Sequence, residues 1–385
     1  VGLGEGENFL GSDVAAFVAY TKRAMEVDQD QAVCVSADKV IVTDFDGNVV
    51  ENPKTYTVDW DASAAEKGGW DSFMDKEIHE DPAAVQRTLL GRFDANGGIT
   101  LDEVRIDEHD FKAIDKIIVV ACGTASYAGQ VAKYAIEHWV RIPVEIELAH
   151  EFRYRDPILT PRTLVVAISQ SGETMDTLMA LRHAREQGSK VLAICNTQGA
   201  SIPRESDAVL YTHAGPEVAV ASTKAFVAQI TAAYLLGLYL AQVKGAMFRD
   251  EIHQVLDSLK DMPRKIQWVL DTQPKTIQAA AERMVNANSF LFLGRHVGYP
   301  VALEGALKLK EIAYTFTEGF AAGELKHGPI ALVDEGEPVV FIVPPQRGRN
   351  VLHAKVISGI EEVKARGAYI IAVAEENDKD VERYA

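Results

Sequence analysis

The chain has 385 residues, 47% of them hydrophobic and 25% charged, with 28 Gly and 14 Pro. That length holds two or three domains able to bury their own cores, and the composition excludes a disordered, collagen-like or low-complexity chain. The net charge is −17, yet residues 1–116 carry 11 Lys and Arg against 25 Asp and Glu, so the remainder is nearly neutral. Without a Lys/Arg cluster the chain lacks the footprint of a nucleic-acid binder, which argues against nucleic acid and anionic membranes as partners and leaves small anionic ligands open.

Three cysteines, Cys34, Cys122 and Cys195, are far apart and form no C-x-x-C pair. Neither a disulfide framework nor a zinc site is expected, and a reducing compartment is. No apolar run is expected to reach the roughly 18–20 residues of a membrane span, because the stretch from Tyr234 to Ala241 is short, so a soluble, cytoplasmic protein is expected. The chain starts at Val1 without a leader and stops at Ala385 on a charged helical pattern; both ends read as cut from a longer chain.

Residues 1 to about 60 read as β-rich, with strand-like Val33–Ser36 and Lys39–Thr43 and a hairpin signal at Asp46-Gly47. From Ser63 to Leu90 the text turns polar and helical, with Trp70, Phe73, Met74, Ile78, Val85 and Leu89 at helical spacing, as in a connector packing one stripe. Asp94 to Asp102 imitates the start of a calcium loop, but Ile99 and Arg105 stand where Gly and a bidentate Glu are required, so a turn is expected. From Lys116 the grammar becomes strand, glycine turn, helix. Ile117–Ala121 precedes Cys122-Gly123-Thr124 and a helix to about Trp139; Leu164–Ile168 precedes Ser169–Thr174 and a helix to Gln187; Lys190–Ile194 follows. Fully apolar strands alternating with helices predict a doubly wound parallel sheet covered on both faces.

The same grammar returns at Phe290–Leu293 with a helix to Ile312, at Val339–Val343 with a helix, and at Gly367–Val373. Two α/β units in tandem are expected, joined by a helical segment from Ala225 to Trp268.

Ser169-Gln170-Ser171-Gly172-Glu173-Thr174 lies where a buried strand ends and a helix begins, the place where free N–H groups and the helix dipole hold anions. The competing reading is a plain helix cap. Cys122-Gly123-Thr124 is the equivalent turn one strand earlier, on the same carboxyl edge of the sheet, where ligands collect, although Cys122 alone reads as a core thiol. Val220, Ser222 and Lys224 mark a third helix start, open to cap or ligand readings. Glu304, Lys308 and Glu311 fall at i, i+4 and i+7 on one helix face. By itself that is a solvated salt-bridge stripe. With His327 in the Gly- and Pro-flanked loop Gly323–Pro329, it supplies carboxylate, amine and imidazole for sugar-phosphate proton transfer. Neither a G-x-G-x-x-G after a strand nor a phosphate-binding G-x-x-x-x-G-K-[ST] is present, so no dinucleotide or nucleoside-triphosphate cofactor is expected.

Six strings, Cys122–Thr124, Glu151–Arg155, Ser169–Thr174, Val220–Phe226, Glu304–Glu311 and Gly323–Pro329, resemble in order the family of isomerizing glutamine–fructose-6-phosphate aminotransferases, the glucosamine-6-phosphate synthases. The resemblance implies two tandem doubly wound sugar-isomerase (SIS) domains, at 106–250 and, incomplete, at 275–385. It implies that 1–72 is the end of an N-terminal-nucleophile glutaminase domain and 73–105 a connector. The family makes glucosamine 6-phosphate and glutamate from fructose 6-phosphate and glutamine, the first step of hexosamine synthesis, with ammonia passed internally. The resemblance assigns the sugar phosphate to Ser169, Gln170, Ser171 and Thr174, and the rest of the sugar pocket to Cys122, Gly123, Thr124, Val220 and Ser222. Glu311 would move the proton between C1 and C2 with Lys308 beside it, Glu304 would be a further member, and His327 would reach in from a neighbouring subunit of a homo-oligomer, expected to be a dimer. No metal or other cofactor is implied.

The departures are that residue 1 is Val where the family's glutaminase nucleophile is an N-terminal cysteine, that Cys34 is no substitute for it, and that Ala125 stands where bacterial relatives often have Ser. The family's carboxyl-terminal lysine, which forms a Schiff base with the sugar, is also outside the chain. As written, the chain is expected to lack glutaminase activity and to bind sugar phosphate without completing the amination. A stand-alone phosphosugar isomerase or deaminase, and a non-catalytic sugar-phosphate-binding regulator, are the alternatives.

Overall fold

The computed structural model describes the chain apart from residues 12–13, 29, 59–66, 95–96, 102 and 348–350 and the side chain of residue 15. Near the N-terminus lie β1 (Gly2–Leu3), β2 (Asn8–Phe9), β3 (Arg23–Met25), β4 (Gln31–Val35), β5 (Val40–Asp44) and β6 (Thr55–Thr57). β4 and β5 form a hairpin that turns at Ser36–Lys39, with Val33 opposite Val42, while the turn expected at Asp46-Gly47 carries only an isolated antiparallel bridge between Thr43 and Val49; the other four strands make an antiparallel sheet in the order β2-β1-β3-β6. Four of these strands have two or three residues, too short to leave a period-2 pattern in the sequence.

The connector is shorter than its sequence suggests. Residues 63–66 fall outside the described ones, and Trp70 lies ahead of the first helix with its ring 4.4 Å from that of His79. Helix α1 (Phe73–His79) starts where Ser72 Oγ accepts the Asp75 N–H at 3.1 Å, and α2 (Asp81–Leu89) follows directly. The segment near Asp94 is a turn in which the Asp94 carboxylate accepts the Gly98 N–H at 2.9 Å; positions 95, 96 and 102 lie outside the described residues.

After α3 (Glu108–Ala113) comes the first α/β unit. Its elements are β7 (Lys116–Ala121), α4 (Gly123–Val140), β8 (Val144–Leu148), α5 (Ala149–Arg155), β9 (Thr163–Ser169), α6 (Met175–Glu186), β10 (Lys190–Cys195), α7 (Ser201–Glu205), β11 (Ala208–Tyr211) and α8 (Lys224–Lys244). All five strands are parallel, in the order β11-β10-β9-β7-β8. The apolar runs do what they predict: Ile117, Val119, Val166 and Ile194 join one buried cluster, while Ile118, Val120, Val165 and Val191 join another on the opposite face.

Two expectations are corrected here. Residues 225–268 are not one linking segment: Gly245, with φ +64°, closes α8 in the left-handed conformation, and α9 (Arg249–Thr272) starts anew with Pro263 in its interior. The expectation that no segment is long and apolar enough to span a membrane also fails, because α8 meets both criteria over 21 residues. Most of α8 is buried, Leu235, Leu238 and Leu240 completely, in the core it shares with β7 and β9; its lack of a polar face is that of a core helix.

α10 (Pro274–Arg283) leads to the second unit: β12 (Ser289–Gly294), α11 (Gly298–Ala313), β13 (Phe316–Ala321), β14 (Pro338–Ile342), α12 (Leu352–Lys364) and β15 (Tyr369–Val373). Its parallel order, β13-β12-β14-β15, repeats the winding of β8-β7-β9-β10. Only one face is fully packed. On the other a cleft of about 880 Å³ opens over Phe290, Phe292, Val340 and Ile371, with Trp268 and Ile277 on its rim.

Candidate functional site

In each sheet the chain winds outward in both directions from its first strand, which creates a crevice at the carboxyl ends of β7 and β9 in the first unit and of β12 and β14 in the second. At the β7/β9 crevice lies a polar cavity of about 170 Å³. At roughly 30 Å³ per water, it has room for a phosphate group and a few more heavy atoms. Of the expected pocket residues, Cys122, Thr124, Ser169, Gln170, Ser171, Thr174 and Ser222 line it. Gly123 does not, nor does Val220, which is 99% exposed.

The loop after β9 is held by its own hydroxyls. Ser169 Oγ accepts the Gly172 N–H at 3.0 Å and pairs with Thr174 Oγ1 at 3.0 Å, and Ser171 Oγ accepts the Glu173 N–H at 3.2 Å. Gly172 is required on two grounds. Its φ of +72° disfavours any side chain, and a Cβ there would sit 2.6 Å from Ala200 Cβ and 2.8 Å from Cys195 Sγ. Thr174, which lines the cavity, makes no side-chain capping bond to α6, so that 12-residue helix starts at the cavity without this cap, an arrangement suited to an anion.

Thr124, at the start of α4, is the hinge of the site. Its Oγ1 donates to Glu304 Oε1 at 3.0 Å and accepts from Lys308 Nζ at 2.9 Å, joining residues 180 and 184 positions apart. Lys308 also lies 3.4 Å from Glu304 and 2.7 Å from Glu311, so the stripe on α11 is an ion-paired cluster against the first unit and not a solvated face. Glu304 is only 6% exposed; burial raises its pKa, against the opposing pull of Lys308 and the Thr124 hydroxyl. Its Oε2 is buried and has no hydrogen-bond partner among the described residues. Burial beside Glu304 likewise raises the Tyr127 pKa, and Tyr134 packs on His296 with ring centroids 4.4 Å apart, so α4 and the start of α11 form the wall between the units.

Other expected residues are placed differently. Ser222 donates to Glu217 at 3.0 Å, and Glu217 also accepts the N–H groups of Thr223 and Ala225, so a carboxylate caps α8. His327 ends a 3₁₀ turn, Ala322–His327, is exposed, and has no hydrogen-bond or ionic partner among the described residues. Cys34 is exposed in β4, and no disulfide joins the three cysteines. Sequence reasoning overlooked Gln229, which lines the cavity with a buried Oε1 that has no hydrogen-bond partner among the described residues; an amide in the apolar first half of α8 was the available signal. It also overlooked His353, Asp378 and Asp380, whose ligand-type atoms lie within 4.8 Å of one another. There His353 is already bonded to Asp378 at 2.7 Å, and Asp380 lies 3.7 Å from Arg383.

Two parallel units wound alike, with a hydroxyl-rich strand-to-helix loop on one and an ionisable helix face on the other, define a doubly wound α/β protein of two tandem units. Residues 111–239 and 283–385 match the SIS domain family, and the chain belongs to that family. Over all 385 residues it is 68% identical to glutamine–fructose-6-phosphate aminotransferase [isomerizing] of Corynebacterium diphtheriae and 67% identical to that of Corynebacterium efficiens. The chain spans 61% and 62% of those two relatives. Among solved structures, the C-terminal domain of glucosamine-fructose-6-phosphate aminotransferase from Francisella tularensis is 40% identical with a TM-score of 0.77, matching 83% of this chain and 88% of that one.

Proposed function

We propose that the two SIS units form the isomerase part of an enzyme that converts fructose 6-phosphate and glutamine to glucosamine 6-phosphate and glutamate. The observation that carries this reading is Thr124, which lines the anion cavity and at the same time bonds the Glu304–Lys308–Glu311 cluster. A phosphate seated at Ser169–Thr174 would extend its sugar carbons toward that cluster. There Glu311 carries the proton between C1 and C2, Lys308 screens the charge that develops, and the unpartnered oxygen of Glu304 accepts a sugar hydroxyl. The exposure of His327 is consistent with a role across a subunit interface in a homodimer, where it assists ring opening. Residues 1–72 are read as the end of a glutaminase domain and 73–105 as the connector that follows it, in a cytoplasmic protein of hexosamine synthesis.

The full-length protein incubated with fructose 6-phosphate and glutamine should release glucosamine 6-phosphate. Failure to form it, with the sugar phosphate bound, would leave a regulator; formation from ammonium but never from glutamine would leave a stand-alone isomerase or deaminase.

A further inference from the structure

The connector grips the loop that runs from β11 to α8. Arg92 donates to the Tyr211 carbonyl at 2.8 Å and Thr88 to that of Thr212 at 2.6 Å, while Arg87 donates to those of His213 and Ala214 at 3.0 and 2.7 Å. One helix earlier, Glu77 Oε1 accepts the N–H groups of Val218 and Ala219 at 2.7 and 3.1 Å. Glu80 then pairs with Lys224, itself buried at the first position of α8.

The far end of the same loop carries Glu217, whose carboxylate holds Ser222, and Ser222 lines the cavity. No residue of α1 or α2 lines it. Glu77 is buried, and desolvation raises its pKa while the Val218 and Ala219 bonds oppose that rise. A buried carboxylate is unfavourable unless donors satisfy it, and here the donors are two consecutive peptide groups of one loop. That arrangement fixes two peptide planes at once, which a neutral packed side chain would not do.

We infer that Glu77 is a positioning residue for the cavity: through Val218 and Ala219 it sets the path of the loop that presents Ser222. The inference rests on the reading that this cavity takes a sugar phosphate.

The test uses the full-length protein with fructose 6-phosphate, comparing wild type, Glu77→Ala and Glu77→Gln by calorimetric Kd, by KM and kcat, and by amide exchange at Val218 and Ala219. Losing two charge-assisted bonds should weaken sugar-phosphate binding about tenfold in Glu77→Ala, leave kcat within about twofold, and speed exchange at both amides. Glu77→Gln keeps an acceptor oxygen and should bring binding back to within about threefold of wild type. Should Glu77→Ala fold too poorly to measure, Arg87→Ala removes two loop contacts from an exposed side chain and should raise Kd in the same direction. Wild-type Kd in the alanine variant that folds, or a loss that glutamine does not relieve, overturns the inference. A wild-type protein that binds no fructose 6-phosphate overturns the underlying reading instead.

Discussion

The two α/β units share one winding and place different polar groups on it. In the first, the turn after β9 is Ser-Gln-Ser-Gly-Glu-Thr, short enough for three hydroxyls to organise the backbone at the crevice. In the second, the equivalent position after β14 holds Pro344 and Pro345, which lack the N–H groups an anion needs, and its polar chemistry lies on the face of α11 instead. The sheets differ too, the first being buried on both faces and the second open over an apolar cleft. A repeated sheet topology therefore says where a site can form; the turns and helix faces on that edge decide which polar groups each unit presents there.

That division of labour can be broken by experiment. The greatest loss should come from Glu311→Gln, which on the proposed function lowers kcat of the full-length protein by roughly 10²–10⁴-fold while fructose 6-phosphate still binds, since only the proposed proton carrier on the second unit is removed. Weakened binding of similar size would collapse the distinction.

Gly172→Ala tests the other unit. A Cβ at 2.6 Å from Ala200 and a φ of +72° should destabilise the loop by about 2–3 kcal/mol, so sugar-phosphate Kd rises tens of fold while the α11 cluster is untouched. Calorimetry with fructose 6-phosphate and a thermal melt read both effects.

Thr124→Val strikes the join. Losing both bonds should remove about 1–2 kcal/mol of coupling and lower kcat/KM about tenfold, seen in steady-state kinetics. An unchanged kcat/KM would mean the two units act without that hydroxyl.

The smallest effect concerns the connector, which packs on the first unit. Burial, with Glu217 nearby, pushes the Asp81 pKa up to about 7 from an ordinary 3.8. The folded state thus holds a proton that the unfolded chain releases, and the stability Asp81 contributes is present below about pH 4 and lost as the pH rises through about 7. Asp81→Asn should flatten that slope and stabilise the protein at pH 8 by on the order of 1 kcal/mol in urea titrations. A slope that persists in the variant would assign it to other groups.

The sequence by itself determined the elements whose pattern closes within a few residues. Apolar β-branched runs such as Ile117–Ala121 read as buried central strands, the serine loop read as a strand-to-helix turn, and the i, i+4, i+7 spacing placed three charges on one helix face. Edge strands were less legible, because a strand with one open side need not be continuously apolar: β8 reads Val-Glu-Ile-Glu-Leu and β13 contains Glu318 and Gly319. Only the tertiary structure decided that Thr124 meets Glu304 and Lys308, that Glu217 caps α8, and that Glu77 grips Val218 and Ala219. Those contacts join groups up to 184 residues apart, or turn on which of several equal hydroxyls and carboxylates face one another. They follow from how the crossover helices pack the two sheets together, and periodicity, which reports only which side of an element is buried, carries no information about what lies across from it.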